Sequence, residues 1–395
     1  MRTVCSLRGL AYILVGCLAF SLAGCFGVSQ KQPGYVLTVA MDGGGIMNPA
    51  VGQHNVGKNE VVQLEAAPKD LWEFSHWEGP VEDAAASATE VIVTESVTVT
   101  AHFTPLPGQQ NLYSVGDVGF GMHFVRAAEF PMGTDDSEMG IVAEDFRIGE
   151  TAVTYALWYE VKEWAEDRGY AFTAKAGSEG STGDWGAAPT AARQEPVVRI
   201  SWRDAIVWCN ALSQYFGYLP VYTYLGDAVT DAAADTCDQA VQGPGSGFRL
   251  PTEEEWELAA RYQGSDSSHG ALEHPLGSGR YWTPGSYASG AEGPAFEPPA
   301  TNYPAHVDPV AWYKDNSEEK TQPVAHADKR PNYLQLYDMS GNVYEWSFTA
   351  RGDDRVVRGG SWQCTPRLQQ IGYSELSFRT DLRDYLRGFR LVLVE

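Results

Sequence analysis

Residues 247–264 read GFRLPTEEEWELAARYQG, and the run carries a full start signal for a helix. Pro251 precedes Thr252, and Glu255 follows Thr252 by three places. At that spacing the hydroxyl and the carboxylate each satisfy the other's free backbone amide. A helix over 252–262 is therefore predicted. Glu253, Glu254 and Glu255 fall in its first turn, where negative charge meets the positive end of the helix dipole. A structural role accounts for them without a catalytic carboxylate pair. Two more helices are readable upstream. Residues 154–167 put Leu157, Trp158, Val161, Trp164 and Ala165 on one stripe. Residues 201–216 open on a serine cap and stripe Ile206, Cys209, Leu212 and Phe216. Elsewhere this part of the chain reads as loops, and only Gly388 to Val394 reads as a buried strand.

The composition agrees with sparse regular structure. The 395 residues include 41 glycines and 12 tryptophans, a combination suited to irregular backbone with indoles filling the gaps. A hydrophobic fraction of 44% excludes a disordered chain, and the length suits two or three domains. Lys and Arg number 28 against 51 Asp and Glu, for a net charge of −23. That balance excludes a nucleic-acid partner, because a phosphate backbone needs a basic face.

Residues 1–24 place Arg2 and Arg8 before an apolar run from Gly9 to Ala23, too short to span a membrane as a helix. With Leu22-Ala23-Gly24-Cys25 at its end, the segment reads as a signal peptide and resembles a bacterial lipobox. The resemblance implies lipidation of Cys25 and anchoring to a membrane of the bacterial cell envelope, facing outward or into the periplasm, with residues 25–34 as a tether. Loss of residues 1–24 removes two arginines and no acid, taking the charge from −23 to −25. Cys5 and Cys17 leave with the signal. Cys209, Cys237 and Cys364 then remain, enough for one disulfide at most.

Residues 35–104 alternate in YVLTV, VVQL, VIV and VTVTAHF between glycine turns, which predicts a small all-β module. Its LTV, VQLEAAP, FSHWEG and VTVTAHF blocks resemble the internalin-type B repeat of bacterial surface proteins. His54, His76 and His102 lie here without metal-ligand spacing. Pro105, Pro107 and Gly108 place a linker at 105–112, ahead of a second domain at 113–395.

Seven blocks of that domain, in order, resemble the formylglycine-generating enzyme, or sulfatase-modifying factor, family. They are EFPMGT (129–134), FRIGETAVTYALW (146–158), EPVVRISWRDAIVWCNALS (195–213), GFRLPTEEEWELAARYQG (247–264), TQPVAHADKRPNYLQLYDMSGNVYEW (321–346), RVVRGGSWQC (355–364) and RGFRLVLV (387–394). The resemblance implies an irregular α+β fold related to C-type lectins. It also implies a copper(I) site in the oxidising members, built from two cysteines. Cys364 matches the first, Ser361 the serine of the oxygen pocket and Trp346 the tryptophan beside it. Gln369 stands at the second cysteine position, and an amide is a hard, neutral substitute for a soft thiolate. The iron chemistry of sulfoxide-synthase relatives needs clustered histidines, and the eight here are scattered.

The resemblance further implies calcium at two places. One uses carbonyls near Gly341 and Val343 with the Glu345 carboxylate; the other uses Asn302, the Tyr303 carbonyl and Asn316, where the family has an acid. Arg351-Gly352-Asp353 spells an adhesion tripeptide but reads as a turn. The expectation is a lipid-anchored, calcium-stabilised, non-oxidising domain that holds a peptide, glycan or protein partner through the cleft around Ser361, Trp346 and Cys364. The alternative is a copper-dependent oxidase converting a sulfatase-type cysteine to formylglycine through those same residues.

Overall fold

Alternating apolar residues build the N-terminal module strand by strand. The computed structural model describes residues 34–190, 194–243, 245–295, 303–374 and 376–394, so the signal segment, Cys25 and Asn302 lie outside the described residues. The module has strands β1 (Tyr35–Asp42), β2 (Gly45–Asn48), β3 (Gly52–Val56), β4 (Glu60–Pro68), β5 (Trp72–Glu78), β6 (Ala88–Val93) and β7 (Val97–Pro105). They form two sheets, ordered β3-β1-β7-β5 and β2-β4-β6. Leu37, Val39, Leu64, Val91, Val93 and Val99 are buried in one core, each one or more two-residue steps from the next on its own strand. Gly45 lets β2 close over this core, because a Cβ there would sit 2.1 Å from the Phe103 ring.

The passage to the second domain is shorter than the sequence suggests. β7 runs to Pro105, and β8 (Gln110–Val115) already pairs with β9 (Val118–Val125). Residues 110–112 of the expected linker thus belong to the second domain. β8 is an edge strand with Leu112 pointing outward, 77% exposed, so its alternation carries little sign of burial. Arg126 ties the two regions, bonding Glu73 at 2.8 Å and the Pro105 carbonyl at 3.2 Å.

The second domain continues with β10 (Ala128–Met132), β11 (Glu138–Val142) and β12 (Phe146–Gly149), followed by helices α1 (Tyr155–Glu166), α2 (Trp202–Tyr215) and α3 (Glu253–Arg261). All three helices start where expected, two of them at the caps read from the sequence. Thr154 accepts from the Leu157 amide, and both Ser201/Asp204 and Thr252/Glu255 close reciprocal capping boxes. α2 is buried almost all round, and its Trp208 stacks on Trp158 at 5.9 Å while Phe389 meets both rings edge-on. Such aromatic stacking fills the space that sparse secondary structure leaves.

The expected single strand at 388–394 is two. Arg387–Phe389 runs parallel to the start of Tyr344–Arg351, in a four-stranded sheet whose far edge is Ser377–Arg379. Val392–Val394 lies between Gly247–Arg249 and β12 in a five-stranded sheet that continues to β9 and β8. The break falls at Arg390, whose side chain is fully buried against Glu345. A charge that must be met inside the protein takes the place of one ladder register.

Candidate functional site

α3 presents charge to the interior. Arg249 grips Glu255 through two bonds of 2.6 Å, and Arg358 meets Glu253 at 2.8 Å and Glu257 at 2.5 Å. Arg261 takes the other Glu257 oxygen at 2.8 Å. Of the glutamates read as dipole partners, Glu253 and Glu255 are thus also ion-paired, and with Glu257 they are buried. This frame holds the hairpin formed by Tyr344–Arg351 and Asp354–Arg358, from which the loop to Cys364 departs.

Gly359 and Gly360 make that departure with φ of 90° and 76°. At Gly360 no other residue fits, since a Cβ would lie 2.5 Å from the Leu368 carbonyl oxygen. The loop then turns back on itself, the Cys364 amide donating to the Ser361 carbonyl at 3.0 Å. The Cys364 thiol lies 2.9 Å from the Tyr344 hydroxyl and 3.1 Å from the Ser361 hydroxyl. Burial and the adjacent thiol push the Tyr344 hydroxyl well above the usual phenol range. Trp346 is fully buried in the same core as Cys364, with its Nε1 lacking a partner among the described residues.

Gln369 decides what this arrangement can do. It is fully buried, and its Nε2 donates to the Ser361 carbonyl at 3.1 Å. The position that would supply a second thiolate instead braces the loop carrying the first. Cys209 and Cys237 are buried and unpaired, and burial raises both thiols, Cys237 to about 12. Among the described residues no group of three or more His, Cys, Asp or Glu side chains is placed to hold a metal ion. A single thiol bonded to two hydroxyls, with the Gln369 amide at the second position, does not fit copper(I), which favours soft sulfur donors.

Calcium does not fit at Glu345 either. Both carboxylate oxygens lie within 3.1 Å of Arg390 nitrogens, and Trp256 Nε1 donates to one at 2.7 Å. A cation there would have to displace a buried guanidinium, because the one carboxylate of the expected Gly341, Val343 and Glu345 set is held in an ion pair. At the other expected position, Tyr303 opens a short helical turn. The Asn316 amide oxygen accepts from the Tyr313 backbone at 2.8 Å, and its nitrogen donates to Asp308 at 3.2 Å and to the Ala311 carbonyl at 3.0 Å.

Ser361, Trp346 and Cys364 are too buried to form a recognition surface. The accessible relief lies outward of them. Arg387 stacks on Phe378 at 3.5 Å and stands 5.8 Å from the Tyr344 ring, linking Cys364 to a groove of about 490 Å³. Trp185, Asp354, Phe378, Arg379, Asp381 and Arg383 line it. Sequence reasoning passed over these residues, although RTDLRDYLR at 379–387 puts three arginines in one short run of a strongly acidic chain.

Residues 118–394 match the sulfatase-modifying factor enzyme 1-like domain family. The chain belongs to that family. Residues 35–107 match the divergent InlB B-repeat domain, so the expected resemblance of the β module holds. Among relatives of this sulfatase-modifying factor-like chain, "Chaperone protein LppX" of Paenibacillus barcinonensis is 27% identical, covering 60% of this chain and 76% of that protein. "Inactive C-alpha-formylglycine-generating enzyme 2" of Mus musculus is 30% identical, covering 42% of this chain and 37% of that protein. In solved structures, Treponema denticola variable protein 1 aligns over 73% of this chain and 99% of its own, with a TM-score of 0.52 and 28% identity. The irregular α+β fold is thus shared with known proteins.

Proposed function

We propose that this protein is a non-oxidising binding member of the sulfatase-modifying factor-like family, carried at a bacterial envelope through a lipid on Cys25 with the β module as spacer. The carrying observation is the Gln369 brace: the residue at the second copper position is buried and committed to the Ser361 carbonyl. The thiol at the first position is hydrogen-bonded to Tyr344 and Ser361. That a relative is named inactive supports this reading. The surface repeat supports the envelope setting. The recognition face is the groove beside Phe378 and Trp185, and the fold's work is to hold that face rigid.

Incubation of the purified chain with copper(I), oxygen and a Cys-x-Pro-x-Arg peptide, followed by mass spectrometry, tests the chemistry. No aldehyde product is expected. Conversion that disappears in Cys364→Ala would replace the binding reading with the oxidase. For the anchor, Cys25→Ser should move the protein from the membrane to the soluble fraction; an unchanged distribution would remove the lipid from the account.

A further inference from the structure

The groove beside Cys364 is built before any ligand arrives. Trp185 is 42% exposed, yet the guanidinium carbons of Arg199 and Arg383 each stand 5.2 Å from its ring centre. Both arginines are themselves fixed. Arg199 donates to the Ser178 hydroxyl at 3.2 Å and the Ser181 carbonyl at 3.0 Å, while Arg383 donates to the Thr173 hydroxyl and the Ala174 carbonyl, both at 3.0 Å. An exposed indole held this way loses little freedom on binding.

The polar lining is balanced. Arg379 and Asp381 pair through two bonds, at 3.0 and 2.6 Å, and Arg379 is cross-strand neighbour to Asp354. Arg379, Arg383, Asp354 and Asp381 therefore contribute two charges of each sign. The lining carries no net charge, so it favours neither an anion nor a cation overall, and of the four groups Arg379 and Asp381 are joined in a salt bridge. What is left over is hydrogen-bonding capacity. A guanidinium has five N–H donors and a carboxylate about four lone-pair sites, so a pair joined by two bonds still offers both kinds of site side by side. Arg379 and Asp381 keep 78% and 48% of their side-chain surface exposed.

Neutral hydroxyl groups, which donate and accept together, match this array, and the part of the indole left exposed beside the two guanidiniums offers an apolar contact to the C–H groups of a pyranose ring. The open form of the groove suits a short chain of such rings. We propose that the groove of Trp185, Phe378, Arg379, Asp381 and Arg383 binds a neutral oligosaccharide.

The proposal rests on the non-oxidising binding reading and names its ligand class. Calorimetric titration of the full chain, in a saccharide-free detergent, with cellotetraose, chitotetraose and mannotetraose tests it. Saturable binding of at least one tetramer is expected, weakened about tenfold or more by Trp185→Ala and by Asp381→Asn at unchanged melting temperature. Leu276→Ala, at a distant exposed hairpin apex, should change nothing. Should Trp185→Ala fail to fold, Trp185→Phe keeps a smaller aromatic face and should bind with intermediate affinity. The proposal is overturned if none of the three binds below about 10 mM. It is also overturned if binding survives in folded Trp185→Ala, or if the Cys-x-Pro-x-Arg peptide occupies the groove in their place. Saccharide failure without peptide conversion would sink the ligand class alone, whereas peptide conversion would sink the non-oxidising reading itself.

Discussion

The two regions of this chain close their cores by different physics. Within residues 35–105, Thr89 is the one buried polar side chain among the described residues, and the rest of that core is aliphatic or aromatic. The second domain buries Arg147, Arg249, Arg261, Arg358, Arg387 and Arg390, most of them against carboxylates or carbonyls. An apolar core tolerates loss of one contact in proportion to the area lost. A core containing charge does not, because removing one partner leaves the other stranded in low dielectric.

The contrast can be broken most forcefully at Arg358. Arg358→Met leaves Glu253 with only the more distant Arg351 and takes one of the two arginines from Glu257, with an expected loss of about 3–5 kcal/mol from the second domain. Calorimetry should show that loss while leaving the β-module transition in place. If both transitions fell together, the two regions would be one cooperative unit and the contrast would fail.

A subtler probe is Asp338, which is buried in the charged region. Burial, opposed in part by the Ala325 amide and by Arg390, raises its carboxyl to about 6 from a model-peptide value of 3.8. The folded state then binds the proton more tightly than the unfolded state. The resulting stabilisation is fully present below pH 3.8 and is lost as pH rises through about 6. Asp338→Asn should raise the melting temperature at pH 7 and reduce the gain on acidification from pH 7 to 5. From the shift, the effect at pH 7 is on the order of 3 kcal/mol. Identical pH profiles for parent and variant would show that this carboxyl is not the titrating group. The smallest effect is expected at the junction. Glu73 and Arg126 are 48% and 31% exposed, so Glu73→Ala should cost under about 1 kcal/mol, less still at high salt. A larger loss would mean that the regions lean on each other more than this contact implies.

The same contrast explains what could be read from the chain. The module was legible because YVLTV and VTVTAHF alternate with period two, and every inward position is apolar. The first helix was legible from its apolar stripe, and the other two because Ser201 and Thr252 announce them. Arg390 was not legible, since a charged residue inside GFRLVLV reads as an outward position and says nothing of Glu345 forty-five residues earlier. The copper position was visible as Gln369, but its bond to the Ser361 carbonyl depends on a turn that no local pattern encodes. Likewise, Trp185 and Arg379 lie far apart in sequence, and only the paired strands Ser377–Arg379 and Asp354–Arg358 bring the groove's far wall into being.

The split strand at residues 387–394 has a bearing on how the protein is made. Val392–Val394 occupies an inner place in the five-stranded sheet, and Arg387–Phe389 closes the four-stranded one. A nascent chain lacking those residues has two incomplete sheets and a Glu345 without its Arg390, however much of the sequence has already emerged. Vectorial synthesis or export therefore delivers the final pieces of both sheets last. These contacts join residues far apart along the chain, a topology that slows folding. The β module, whose pairings are complete by residue 105, can fold while the second domain behind it is still incomplete.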